Sequence, residues 1–174
     1  VYSAMGHLYV RDLPDGTPRR LTEQADEFEF YPAYSRDGKS IAYVTWNERE
    51  GGHVYRARPD VPNGAPERLT TQPGFYDKLT YSPDGRRLVL ARGPREQRRD
   101  RDELGGNSAE AAGVELVWLP ATGGAATVIT PVTRFGQPHF GPDTGRVYVF
   151  EPADGLVSMR YDGTDRQQHL RVGS

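Results

Sequence analysis

The sequence predicts an all-β fold, a β-propeller of four-stranded antiparallel blades, and three observations carry that expectation. A turn phrase recurs: Tyr34-Ser35-Arg36-Asp37-Gly38-Lys39, then Tyr81-Ser82-Pro83-Asp84-Gly85-Arg86, then Phe140-Gly141-Pro142-Asp143-Thr144-Gly145-Arg146 in altered form. A second phrase recurs with it: Arg20-Leu21-Thr22, Arg68-Leu69-Thr70 and Val128-Ile129-Thr130. Both phrases keep one period. Tyr34 to Tyr81 is 47 residues and Arg20 to Arg68 is 48; Tyr81 to Phe140 is 59 and Arg68 to Val128 is 60. The longer second interval reflects an extra segment near residues 94–113. A period held by two independent phrases marks stacked supersecondary units.

Within each unit the elements follow in a fixed order. The Asp-Gly turn comes first: Asp can bond its own backbone and Gly accepts a positive φ. Alternating β-branched and aromatic residues follow, as in Ser40-Ile41-Ala42-Tyr43-Val44-Thr45-Trp46 and Arg87-Leu88-Val89-Leu90-Ala91, and read as strands. The next strands are Leu8-Tyr9-Val10, His53-Val54-Tyr55, Glu115-Leu116-Val117-Trp118 and Leu156-Val157-Ser158-Met159. A Gly-containing turn and a last strand carrying the Arg-Leu-Thr phrase or its equivalent close the unit. A short twisted sheet cannot bury both faces alone, so such units stack, and most of these apolar residues are expected between blades.

The expected organisation is one propeller domain over residues 1–174. It has a partial blade at 1–22, complete blades at 23–70 and 71–130, the latter with the loop inserted at 94–113, and a fourth at 131–174. About four blades are then present, the first lacking its innermost strand. That start inside a blade favours a portion of a larger propeller over a closed four-blade ring. The opening Val1-Tyr2-Ser3-Ala4 has neither initiator methionine nor a charged-then-apolar leader, which fits a removed leader or a piece of a longer protein.

Composition narrows the function classes. With 22 basic and 24 acidic side chains the formal charge is −2, which gives no reason to expect a nucleic acid or an anionic membrane surface as partner. No stretch approaches the roughly 20 apolar residues of a membrane helix, so no membrane insertion is expected. Absence of cysteine rules out disulfides and thiolate metal sites.

Catalytic patterns are scarce. No Gly-x-Ser-x-Gly elbow is present, and Gly105-Gly106-Asn107-Ser108 lacks the lysine of a phosphate-binding loop. His7 and His53 occupy equivalent places in successive units, which argues for a structural task, and His139 and His169 show no helical i, i+4 metal spacing. Asp100, Asp102 and Glu103, or Asp162 with Asp165, are weak candidates for calcium; a charged loop and a turn explain them as well. No catalytic residue, metal site or cofactor is expected, although His139, with Arg134 and Asp77, is the best candidate for an enzyme site in a propeller funnel.

The Ser-Pro-Asp-Gly turn, the strand after it and the closing Arg-Leu-Thr together resemble the WD40-like (PD40) repeat of TolB-like β-propeller proteins. The last unit departs from it, with Gly141-Pro142-Asp143-Thr144-Gly145 at the turn and no Arg-Leu-Thr. Phe28-Glu29-Phe30-Tyr31-Pro32-Ala33-Tyr34-Ser35, and Tyr43-Val44-Thr45-Trp46 with Gly51-Gly52-His53-Val54-Tyr55, also resemble the propeller found ahead of the catalytic barrel in exported bacterial amidohydrolases. These resemblances imply a periplasmic or secreted protein. They imply a module that binds a protein or peptide, or one that supports and gates a fused hydrolase domain, prolyl-oligopeptidase relatives being another such case. Open blade edges would also allow oligomers.

Strand alternation places the connections between second and third strands, and those between blades, on one face of the disc. That face is the expected binding surface, with Phe28, Trp46, Arg49, Phe75, Tyr76, Arg95, Arg98, Arg99, Arg134 and His139 as its candidates. Aromatic and arginine side chains amid mixed charge are typical of recognition surfaces. Alanine at Trp46 or Arg99 is accordingly expected to weaken binding with the melting temperature nearly intact.

Overall fold

The computed structural model describes residues 1–61, 64–94, 113–132 and 135–171, and these form four antiparallel sheets. The first holds β1 (Tyr2–Ala4), β2 (His7–Val10) and β3 (Arg19–Arg20). The second runs β4 (Phe28–Tyr34), β5 (Ile41–Trp46), β6 (Val54–Ala57) and β7 (Glu67–Arg68). The third runs β8 (Phe75–Tyr81), β9 (Arg87–Gly93), β10 (Glu115–Pro120) and β11 (Thr127–Pro131). The fourth holds β12 (Arg146–Glu151), β13 (Gly155–Arg160) and β14 (Gln167–Leu170). Beside β12 an innermost strand is reduced to one bridge, His139 to Tyr148, where Pro138 cannot donate to a ladder and Gly136, Gly141 and Pro142 flank it.

The recurring phrases have recurring atomic roles. In the first turn Ser35 Oγ donates to Asp37 Oδ1 at 2.7 Å, and Lys39 N donates to the same oxygen at 3.1 Å. Ser82 Oγ and Arg86 N repeat this on Asp84 Oδ1 at 2.6 and 3.0 Å, and Gly38 and Gly85 both take a positive φ. These donors, the serine hydroxyl first, hold both carboxyls below the ordinary aspartate range. The middle residue of the closing phrase (Leu21, Leu69 or Ile129) is buried each time. Its carbonyl meets the next blade at two places: Gly124 N donates to Leu69 O at 2.9 Å, and a Cβ on Gly163 would stand 2.0 Å from Ile129 O.

Cores lie between successive sheets, as stacking requires. Leu8, Val10 and Leu21 meet Ile41, Tyr43 and Ala57 between the first and second. Val44, Val54 and Leu69 meet Leu79, Leu88 and Leu90 between the second and third, and Val89 and Leu116 meet Val147, Val149 and Met159 beyond. Both complete sheets carry a bulge in their innermost strand, with Tyr31 and Lys78 left-handed at equivalent positions.

Candidate recognition cleft

Two short loops at one end of the second sheet build a concave site. The β5–β6 hairpin is pinned by Asn47, whose backbone pairs with Gly51 and whose Oδ1 accepts from Arg49 N at 2.8 Å and Glu50 N at 3.2 Å. The Asn47 amide also donates to Asp26 O at 3.0 Å, tying the hairpin to the connection arriving from the first sheet. That connection is closed by Gln24, which donates to Glu27 O at 3.0 Å and accepts from Glu27 N at 2.9 Å.

Between the loops lies an open cleft of about 790 Å³. Its aromatic lining is Phe28, Tyr43, Trp46 and Tyr55; its charged lining is Asp26, Glu27, Glu48, Glu50 and Arg49. Tyr43 stacks on Tyr55 with centroids 5.9 Å apart, and Trp46 Nε1 donates to Glu48 Oε1 at 2.7 Å. Phe28 is 51% exposed, and its ring covers Gly6, where a Cβ would stand 2.4 Å from Cδ1. Next to Gly6 in the chain, Met5 is 92% exposed.

The local field is negative. Burial raises the Glu27 carboxyl pKa; Glu50 and Glu29 push it the same way, against a Thr45 hydrogen bond and Arg68. Burial raises the Tyr55 hydroxyl, with Glu27 and Glu50 adding to it and Arg68 opposing. Burial lowers His53 behind the cleft, and Arg68 lowers it further.

The structure gathers Phe28, Trp46 and Arg49 at this cleft. Phe75 meets Trp46 edge-on at 6.2 Å and 82°, but it is buried. Tyr76 belongs to the core between the second and third sheets, with its hydroxyl donating to Gln72 O at 2.8 Å, so neither ring offers surface. Trp46 is itself only 3% exposed and forms floor rather than rim, which reverses the expectation that alanine there would spare stability. His139 stands exposed on the fourth sheet beside Tyr148. Arg95, Arg98, Arg99 and Arg134, like the acidic trio Asp100, Asp102 and Glu103, lie outside the described residues.

Gln24, Tyr43 and Tyr55 were not legible as cleft residues, since the two tyrosines read as ordinary strand positions. Their direct register pairing across β5 and β6 brings the rings together. Asp162 and Asp165 are engaged within the protein: Asp162 caps Thr164, and Asp165 pairs with Arg146 at 2.5 Å. Among the described residues no three His, Asp or Glu side chains converge to hold a metal ion, and no helix is long and apolar enough to cross a membrane.

Stacked antiparallel sheets of this size, joined edge to edge by short turns and buried face to face, define a β-propeller. Its repeat is TolB-like. A stretch of 94 residues, 52% of the chain, is 27% identical to the Tol-Pal system protein TolB of Francisella tularensis, and spans 21% of that relative's length. Among solved structures, a TolB from Agrobacterium tumefaciens superposes with a TM-score of 0.64 at 23% identity, over 92% of this chain and 55% of that one. A puromycin-hydrolyzing peptidase of Mycobacterium tuberculosis superposes with a TM-score of 0.68 at 17% identity, over 95% of this chain and 26% of that one. No family model matches the chain.

Proposed function

We propose that this chain is a non-catalytic TolB-like propeller module that binds a protein or peptide on the face bearing the Trp46 cleft, and that it works as part of a longer propeller in the periplasm or outside the cell. The cleft carries this reading: two braced loops hold aromatic and charged groups around an open concave surface. The share of the Agrobacterium TolB that the chain spans supports a longer parent. A peptide array probed with this chain tests the reading. Specific binders should lose affinity on Phe28→Ser or Arg49→Ala with unfolding unchanged; binders indifferent to both substitutions would move the site elsewhere.

A second reading is favoured by the likeness to the mycobacterial peptidase, of which the chain covers only a quarter or so. In that reading the blades of this chain support and gate a fused hydrolase domain. Hydrolysis of ester and amide substrates by the parent protein, but not by this chain, would favour it.

A further inference from the structure

We propose that the Trp46 cleft takes a basic side chain, arginine or lysine, from a peptide segment of a protein partner, with an apolar residue of the same segment resting on Met5 and Phe28. This rests on reading the face as a binding surface and names the chemistry of its occupant. Charge is the first argument. Among the described residues four carboxylates, Asp26, Glu27, Glu48 and Glu50, line the cleft against one guanidinium, that of Arg49, with Arg68 next to Tyr55 as the nearby counter-charge. The whole chain has a formal charge of only −2, so the imbalance is local and would steer a cation to this end of the blade.

The walls supply the second argument. A guanidinium or ammonium is attracted to the faces of aromatic rings as well as to carboxylates, and arginine offers a planar fork that stacks and donates at once. Phe28 and Tyr55 are partly open to solvent, and Tyr43 and Trp46 lie beneath them.

Rigidity is the third. Asn47 and Gln24 brace the acidic loops through five hydrogen bonds of 2.8–3.2 Å, so little ordering remains when a ligand arrives. The carboxylates do not converge into a metal-holding group among the described residues, which suits a broad organic cation better than a point ion. Exposed Phe28 lines the cleft beside this charge and covers Gly6, whose chain neighbour Met5 is also exposed, so an amphipathic basic segment would cover both together.

The chain contains two tryptophans, so Trp118→Phe leaves Trp46 as a fluorescent reporter inside the cleft. Three short peptides of leucine alternating with arginine, glutamine or glutamate are titrated against that protein. The arginine peptide should give a saturable change in Trp46 emission that weakens with added salt. Glu27→Gln with Glu50→Gln should weaken it about tenfold, the loss expected when partners of a charge pair are removed. Asp60→Asn, outside the cleft, should not. Equal binding of arginine and glutamine peptides, or indifference to the double substitution in a protein of unchanged melting temperature, overturns the proposal. Saturation by the glutamine or glutamate peptide alone would leave the face a peptide site and sink only the cationic occupant. Silence of Trp46 toward all three would sink both.

Discussion

The Glu29 carboxylate, fully buried in the second sheet, accepts the backbone N–H of Leu8 in the first sheet at 2.8 Å. Its other oxygen accepts the Thr22 hydroxyl. One side chain therefore satisfies two donors of the neighbouring blade, and Ser3 Oγ adds a bond to the Glu29 carbonyl at 3.2 Å. Leaving a buried N–H unmatched costs about 1–3 kcal/mol, so Glu29→Ala should destabilise the chain by about 2–3 kcal/mol. Glu29→Gln keeps an acceptor and should lose less. Equilibrium urea unfolding compares them, and an unchanged midpoint for Glu29→Ala would show that the latch contributes nothing.

His53 should make the fold acid-sensitive. Its Nδ1 lies 2.9 Å from Thr70 Oγ1, which also accepts Val54 N at 3.1 Å. One hydroxyl therefore meets both the imidazole and the Val54 amide, and the imidazole tautomer sets which of Nδ1 and Oγ1 donates. Burial first, and Arg68 second, lower the His53 pKa from 6.5. A group depressed on folding binds more protons unfolded, so its contribution is complete above 6.5 and is lost as pH falls through the lower folded value. Melting temperature should therefore decline below the ordinary histidine range. In His53→Gln that decline should flatten, while the steeper loss at lower pH, where Asp37 and Asp84 protonate, persists.

Arg87 links the third and fourth sheets. Its guanidinium carbon lies 5.0 Å from the Trp118 ring centre and 4.6 Å from that of Tyr161, and Asp84 Oδ2 is 3.5 Å from Nη1. Cation–π contacts of this kind contribute about 0.5–2 kcal/mol each, depending on desolvation. Arg87→Met should cost about 1–2 kcal/mol, and Arg87→Lys should recover only part, because the ammonium does not stack as a plane. A double-mutant cycle with Tyr161→Leu should show coupling above about 0.5 kcal/mol. Strict additivity would mean the rings and the cation merely adjoin.

The strand order was legible because its signals are local: Ser35-Arg36-Asp37-Gly38 makes the same hydrogen bonds in its blade as Ser82-Pro83-Asp84-Gly85 does in the next. The hairpin at Asn47 and the loop at Asp26 were likewise placed on one face by strand alternation alone. Depth was not legible. Phe75 and Tyr76 begin β8 much as Phe28 begins β4, yet they are buried against the preceding blade while Phe28, which covers Gly6 of its own preceding blade, stays half exposed. Which aromatic is core and which is surface depends on the neighbouring sheet, and no property of the strand's own sequence encodes it. Tyr43 and Tyr55 became cleft residues through cross-strand register, again a relation between distant positions.

That difference in depth separates two residues of the β5–β6 hairpin, Trp46 and Arg49. Trp46 is 3% exposed and packs edge-on against Phe75, so Trp46→Ala opens a cavity between the second and third sheets. Large-to-small changes of this kind cost about 3–5 kcal/mol. Arg49 is an exposed residue of the hairpin that lines the cleft, and Arg49→Ala should change stability far less, by about 0.5 kcal/mol. Thermal unfolding of the pair decides the matter: a large drop for Trp46→Ala alone assigns the ring to the core and leaves Arg49 as the residue through which binding can be altered without unfolding the blade. Equal, small effects would mean that the Trp46 ring sits at the surface after all.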